Sequence, residues 1–560
     1  MHCITETIGA IKECNSYAYE DPQHEMSRYE VGCPLPPHDP HAISVSLPTW
    51  ESNVAWGNKE SWVVDKMKTG YPRFFVARSI TALAEDVVWR YGNPESETAL
   101  IFPAKKTAKK CVSFLHAGRI IPLSTNSSEK AAKWLSVFVV VFPKNLWPQA
   151  RAFWQHTGDG VSTRQVMVLR ELWNADLLGI AGATKDSKDR SPVLMGALDK
   201  LCDHCIVSTK QQLRNRIAGL ISTNSEIAVA EDHVFLYPTG MSAIYAISRS
   251  ILSVLGSDKK AVCFGFGYTD TLKVLTKLGS GCHFFGTGNS VDLHELSTLL
   301  STGESISAIF CELPTNPLLQ TPDLVVLRGL ATTYNIPLVV DETIGTFVNV
   351  DVLPFADVVV TSLSKAFGGK CNVMGGSVVL NPTSPFYSAF HRSFTEDFED
   401  TYFPLDASVM LSNSAPFSDR IQTMNTNALA ISRILARHPT VQTVYYPGLN
   451  PEGFDRFRKP KGGYGFLITI RFKRQQSAMD FFDALDVAKG PSLGTVFTLA
   501  CPYTLLAHMS EIDWAAEYGV VEDLVRISVG VEEMSELVAV VEKALAVLEV
   551  ETVQVERPRL

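Results

Sequence analysis

Between residues 233 and 382, short runs of β-branched and other apolar residues alternate with segments long enough to be helices, which is how a parallel α/β sheet is written. The candidate strands are AVCFGF (261–266), SAIFCE (307–312), IPLVV (336–340), ADVVV (356–360) and GSVVL (376–380). Most are apolar throughout rather than alternating, as strands covered on both faces are. This stretch is expected to be the centre of a large α/β domain.

The 560-residue chain is too long for one ordinary core, so further domains are expected around it. Residues 1–70 are polar, carry the PLPPHDPH cluster at 34–41, and read as a mostly irregular arm that packs rather than catalyses. Residues 71–230 form an N-terminal extension of mixed helical and strand-like pieces, broken by ATKDSKDRSP (183–192), which reads as a surface loop. The large domain is assigned to 231–385 and a smaller α+β domain to 386–560. In that last region FLITIRF (466–472) places Phe466, Ile468, Ile470 and Phe472 on one face of a strand, which suggests a half-exposed sheet. Leu537, Val540, Val541, Ala544 and Leu548 recur at helical spacing near the end.

Composition removes several function classes. A hydrophobic share of 46% describes a folded protein rather than a disordered one. A net charge of -9 without long basic runs leaves no footprint for nucleic acid. No apolar run approaches the ~18 residues that span a bilayer. Residues 1–14 lack the pattern of a secretory signal. Eleven scattered cysteines suit a reducing compartment, and the cytoplasm is the expected location. Cys202 and Cys205 form the one close pair, but no second pair follows at zinc-site spacing, so they read as core thiols and no metal is expected. The terminal Pro-Arg-Leu reads as a basic tail rather than a peroxisomal address.

Three segments fit together as a site for a phosphate-bearing cofactor. In YPTGMSAIYAI, Gly240 and Met241 end an extended run and open a helix marked by Ile244, Ile247 and Ile251. Free backbone N–H groups at a helix start can hold a phosphate, although a glycine before a helix is ordinarily just a turn. In VVDETIG, Asp341 ends the IPLVV strand, where a buried carboxylate needs a partner. A protonated pyridine nitrogen would serve, and a cap on the following helix is the plainer alternative. In ADVVVTSLSKAFGG a strand is followed by Ser362, Ser364, Lys365 and two glycines. An amine just beyond a buried strand is suited to attack an aldehyde, and the neighbouring hydroxyls can bond a phosphate.

These segments resemble the Cys/Met-metabolism family of pyridoxal-phosphate enzymes, whose motifs run S-G-M, E-x-P-x-N-P, D-x-T and S-x-T-K. Here they stand, in the same order, as Thr239-Gly240-Met241, Glu312-Leu313-Pro314-Thr315-Asn316-Pro317, Asp341-Glu342-Thr343 and Ser362-Leu363-Ser364-Lys365. The resemblance covers residue 232 to about residue 550. SLPTWESNVAW (46–56) and KMKTGYPRFF (66–75) resemble the arm of fungal cystathionine γ-synthases.

The resemblance implies an aspartate-aminotransferase-like fold (fold type I) and pyridoxal 5'-phosphate carried on Lys365. It implies that Asp341 faces the ring nitrogen, that Gly240, Met241, Ser362 and Ser364 anchor the phosphate, and that Asn316 lies at the cofactor. Phe264, in CFGFGYTDT, stands where relatives place a ring-stacking tyrosine, which would cost the site a phenol. Ser492 in PSLG matches the family's active-site serine, and Arg526 in LVRISVGVEE its carboxylate-binding arginine. Relatives donate a Tyr-x-Arg to the phosphate from a neighbouring subunit, for which Tyr71-Pro72-Arg73, Arg90 and Arg164 all compete, and a homo-oligomer, dimer or tetramer, is implied.

The implied reaction is γ-replacement on an O-acyl-L-homoserine by L-cysteine, giving L-cystathionine. Two other readings stay open. One is a paralogue that joins a carbon nucleophile to the γ-carbon. The other is a catalytically silent binding protein that keeps the fold.

Overall fold

The computed structural model describes residues 29–71, 74–125, 133–180 and 208–548. Cys202, Cys205, the 183–192 stretch, residues 1–14 and the Pro-Arg-Leu tail lie outside the described residues.

The N-terminal arm is more ordered than its polar sequence suggests. Its short strands β1 (Pro34–Leu35) and β2 (Ser44–Val45) pair antiparallel, and helix α1 (Trp50–Gly57) follows. The arm crosses the rest of the chain by backbone bonds: the Ile43 N–H donates to the Cys371 carbonyl at 2.9 Å, and the Leu47 N–H to the Lys489 carbonyl at 2.9 Å. Backbone pairing of this kind fixes where the arm ends, whatever its side chains.

Next comes an antiparallel four-stranded sheet in the order β3-β5-β4-β6, with β3 Glu97–Phe102, β4 Arg119–Ser124, β5 Val137–Pro143 and β6 Gly179–Ile180. Helices α2 (Arg78–Tyr91), α3 (Lys105–Leu115), α4 (Trp147–Thr157) and α5 (Thr163–Asn174) pack with it. VFVVVF in β5 is apolar throughout because it is the sheet's central strand and is covered on both faces.

The large sheet has seven strands in the order β7-β13-β12-β11-β10-β8-β9. They are β7 Val234–Tyr237, β8 Lys260–Phe264, β9 Cys282–Phe285, β10 Ile306–Glu312, β11 Leu338–Asp341, β12 Val358–Thr361 and β13 Gly376–Leu380. Strands β8 to β12 run parallel, and β13 runs against both neighbours. This is the mostly parallel α/β sheet expected from the sequence, and ligands in such sheets collect beyond the carboxyl ends of the strands. Helix α6 (Gly240–Leu255) starts three residues after β7; Thr239 and Ser242 form its capping box, and Ile244, Ile247 and Ile251 make its buried face.

The last sheet has the order β14-β15-β18-β17-β16, with β14 Val441–Tyr445, β15 Leu467–Phe472, β16 Ala488–Lys489, β17 Leu499–Pro502 and β18 Val525–Ser528. The expected half-exposed face of β15 is not found: Leu467 and Thr469 are as buried as Ile468, Ile470 and Phe472. Helices α7 (Phe417–Arg437) and α8 (Met534–Leu545) pack together over the Ile468 and Ile470 side, while Leu467 belongs to the core that reaches the large sheet.

Candidate active site

Strand ends assemble the site. Glu312 and Asp341 are the last residues of β10 and β11 and sit opposite each other in register. Beyond β12, a loop carries Ser362, Ser364 and Lys365, and beyond β7, Thr239 and Gly240 open α6. All of these residues line one cavity, together with Met241, Asn316, Ser492 and Arg526.

Lys365 is buried, and its Nζ donates to the Tyr71 hydroxyl at 3.0 Å and to Ser492 Oγ at 3.0 Å. Ser492 has φ +105°, a conformation costly for a residue with a Cβ. Two residues on, Gly494 passes so close that a Cβ there would stand 2.3 Å from the Ala366 nitrogen. Arg526, on β18, donates from Nη1 to Asn316 Oδ1 at 2.9 Å and from Nη2 to the Ser492 carbonyl at 2.8 Å, with the Tyr503 ring beneath its guanidinium at 4.7 Å. Ser492 thus meets the amine through its hydroxyl and the guanidinium through its carbonyl.

Burial governs the carboxyls. It pushes Asp341 up to about 6, against bonds from Thr343 that favour the charged form. Burial and the Asp341 charge push Glu312 up as well. Tyr268 donates its backbone N–H to Glu312 at 2.5 Å, and Thr343 its own to Asp341 at 2.8 Å.

The profile described as Cys/Met metabolism PLP-dependent enzyme matches residues 207–546. The chain belongs to this family. A second profile, fungal trans-sulfuration enzyme, N-terminal domain, matches residues 79–162. The cystathionine gamma-synthase of Neurospora crassa is 38% identical over 94% of this chain and 99% of its own length. The cystathionine gamma-synthase-like protein ankD of Aspergillus thermomutatus is 38% identical over 93% of this chain and 94% of its own length. Among solved structures, cystathionine gamma synthase from Xanthomonas oryzae pv. oryzae in complex with cystathionine matches with a TM-score of 0.52 at 23% identity, over 60% of this chain and 87% of that one, and shares the fold.

As a Cys/Met-metabolism enzyme the chain uses pyridoxal phosphate, and the cavity suits that cofactor. A Cβ on Gly240 would stand 2.7 Å from the Ser362 Cβ, so only glycine lets the start of α6 and the Ser362 loop come this close and form an anion cradle. Ser362 offers its hydroxyl there, whereas the Ser364 hydroxyl is already engaged with the Gly375 backbone, donating at 3.2 Å and accepting at 3.0 Å. No cation pairs with Asp341 in the described residues, so a protonated ring nitrogen would supply the partner that burial withholds.

The raised Asp341 value has a testable sign. An acid whose pKa is higher folded than unfolded contributes stability that is present below the unfolded value, about 4, and lost as pH rises through about 6. The cofactor-free Asp341→Asn variant is therefore expected to gain melting temperature over wild type at about pH 7.5 and to lose most of that gain at about pH 4, while binding pyridoxal phosphate more weakly. Thermal melts at both pH values, with and without cofactor, check this.

One expected residue is not among those that line the Lys365 cavity. Phe264 is buried in the core against Phe285, with ring centroids 6.3 Å apart, and does not line the Lys365 cavity. Phe264 is the last residue of β8 and lines a smaller adjoining pocket that shares Glu312 and Asp341 with the Lys365 cavity. Tyr268, four residues on, lines the cavity instead, so the phenol that Phe264 would have cost is present. The reach of the arm was missed, since Ile43 lines the cavity; Tyr71, one of the competing candidates, lines it too, as does Tyr503, which accepts from Asn316 Nδ2 at 3.3 Å.

Of the three competing arginines, Arg90 pairs with Asp176 at 2.8 Å away from the cavity, Arg164 is buried against Asp406 at 3.1 Å, and Arg73 lies outside the described residues.

Proposed function

We propose that the chain catalyses γ-replacement on an O-acyl-L-homoserine, with L-cysteine as the nucleophile and L-cystathionine and a free carboxylic acid as products. The observation that carries this reading is the Ser492 junction, which puts an amine and an arginine fork on one residue, as an α-amino acid needs to have its α-proton and its carboxylate addressed together. The similarity to the cystathionine gamma-synthase of Neurospora crassa supports the same reaction.

Pyridoxal phosphate, when bound, supplies an aldehyde for the Lys365 amine and a cationic ring that accepts negative charge from the substrate. The start of α6 and the Ser362 hydroxyl hold its phosphate, and Asp341 keeps the ring nitrogen protonated. Asn316 holds Arg526 in place and lies beside the cofactor. The free N–H groups of Arg526 grip the substrate carboxylate. Lys365 Nζ takes the α-proton and moves protons between the α- and β-carbons, so that the γ-acyloxy group can leave and the nucleophile can add in its place, kept in line by the hydroxyls of Tyr71 and Ser492. Ile43, Phe74 and Leu506 line the cavity and help to exclude water. Tyr268 is the aromatic that flanks the cofactor ring.

The alternative is a carbon nucleophile adding at the same γ-carbon, since one electrophilic intermediate can accept a thiol or an enolate carbon. Supplying O-acetylhomoserine with cysteine or with a β-keto acid and identifying the product by mass spectrometry tests the choice. Cystathionine with cysteine and no adduct with the keto acid is expected; a carbon–carbon adduct alone would replace this reading. We further propose a cytoplasmic homo-oligomer. Among the described residues no helix is long and apolar enough to cross a membrane.

A further inference from the structure

The C-terminal end of helix α4, in the N-terminal sheet layer, touches the candidate site at two places. At the first, the Gly158 carbonyl accepts the Thr239 hydroxyl at 3.1 Å, at the cap of the phosphate-facing helix α6. Gly158 has φ +68°, and a Cβ there would stand 2.3 Å from Thr239 Oγ1, so the two segments are in contact through backbone. At the second, Asp270, 1% exposed, is held on one carboxyl oxygen by Gln155 Nε2 at 3.1 Å and by His156 Nδ1 at 3.1 Å. Its other oxygen accepts the Tyr268 phenol at 3.3 Å. Facing a carboxylate, which only accepts, His156 Nδ1 carries a proton toward it.

A carboxylate this buried is tolerated because every contact given to it is a donor. It links a helix of the N-terminal layer to the aromatic ring at the cavity wall. We propose that Asp270 is a positioning residue, which with Gln155 and His156 sets the Tyr268 ring against the cofactor, so that the N-terminal layer takes part in holding pyridoxal phosphate. This rests on the reading of Tyr268 given above. The link explains an arrangement that packing alone does not require: a buried carboxylate that takes donors from two layers, Gln155 and His156 on one side and the Tyr268 phenol on the other.

The test is a double-mutant cycle on pyridoxal phosphate binding by the cofactor-free full chain, with Tyr268→Phe, Asp270→Asn and both together. Binding is read by fluorescence titration, and the visible circular dichroism of the bound cofactor reports the asymmetry of its surroundings. Each single variant is expected to weaken binding about tenfold and to alter the dichroic band, and the double variant to be no weaker than Tyr268→Phe alone. Gln155→Leu, which leaves Asp270 and Tyr268 in place, is expected to change the band in the same direction by less and keeps the test informative if Asp270→Asn folds poorly. Losses that add in the double variant would overturn the proposal by showing that Asp270 does not act through the phenol. A silent Tyr268→Phe would overturn it together with the assignment of Tyr268. None of these outcomes depends on which nucleophile the enzyme uses, which the product assay decides separately.

Discussion

Lys365→Ala is expected to lower kcat for cystathionine formation by about 10⁴-fold or more, because one amine both joins the cofactor and moves the substrate protons. Among the described residues, the groups bonded to Nζ are the hydroxyls of Tyr71 and Ser492. Neither carries a nitrogen that can join an aldehyde as an imine. The variant should also release pyridoxal phosphate on dialysis. Borohydride reduction followed by peptide mapping should find the cofactor fixed on residue 365 in the wild type and nowhere in the variant. Product formation that survives the substitution would remove the central assignment of the site.

Arg526→Ala is expected to reduce kcat/KM by about 10³-fold, with the cofactor's visible band retained. Losing a two-pronged, charge-assisted grip on a carboxylate in a buried site is worth roughly 4 kcal/mol, and a decade is ~1.4 kcal/mol. Arg526→Lys should recover only part of this, since an ammonium cannot bond Asn316 and the Ser492 carbonyl and still present a fork to the substrate. Steady-state kinetics with varied O-acetylhomoserine separates the two variants. An unchanged KM in both would mean that the substrate carboxylate is bound elsewhere.

The parts of the site that were legible in the sequence are those written within a few residues of a strand end. The strand ADVVV followed by Ser362, Ser364 and Lys365 carries its own punctuation, and so do Asp341 after IPLVV and Gly240 before α6. Five of the seven strands of the large sheet were legible for the same reason, because doubly covered strands are apolar throughout, whereas the edge strands β7 and β9 were not picked out. CFGFGYTDT holds three aromatics, Phe264, Phe266 and Tyr268, and the local pattern does not choose among them; the course of the chain after β8 brings Tyr268 to the wall of the Lys365 cavity. Tyr71 stayed one of several competing candidates because it lies 294 residues from Lys365, and no local pattern ties the two together. The Asp270 cluster was invisible because its partners come from α4, 114 residues earlier, and neither segment carries an unusual local pattern. The face of β15 was misjudged because alternation shows which residues share a side but not whether the opposite side is also covered.

The left-handed backbone at Ser492 has a consequence for how robust this protein can be. A serine held at φ +105° keeps conformational energy in the folded state, at a point where glycine would relax the chain. Serine there gives the amine a hydroxyl contact that glycine could not. Thermal tolerance and chemical competence therefore pull in opposite directions at this one position, and a lineage adapting to heat would have to find its margin elsewhere in the molecule.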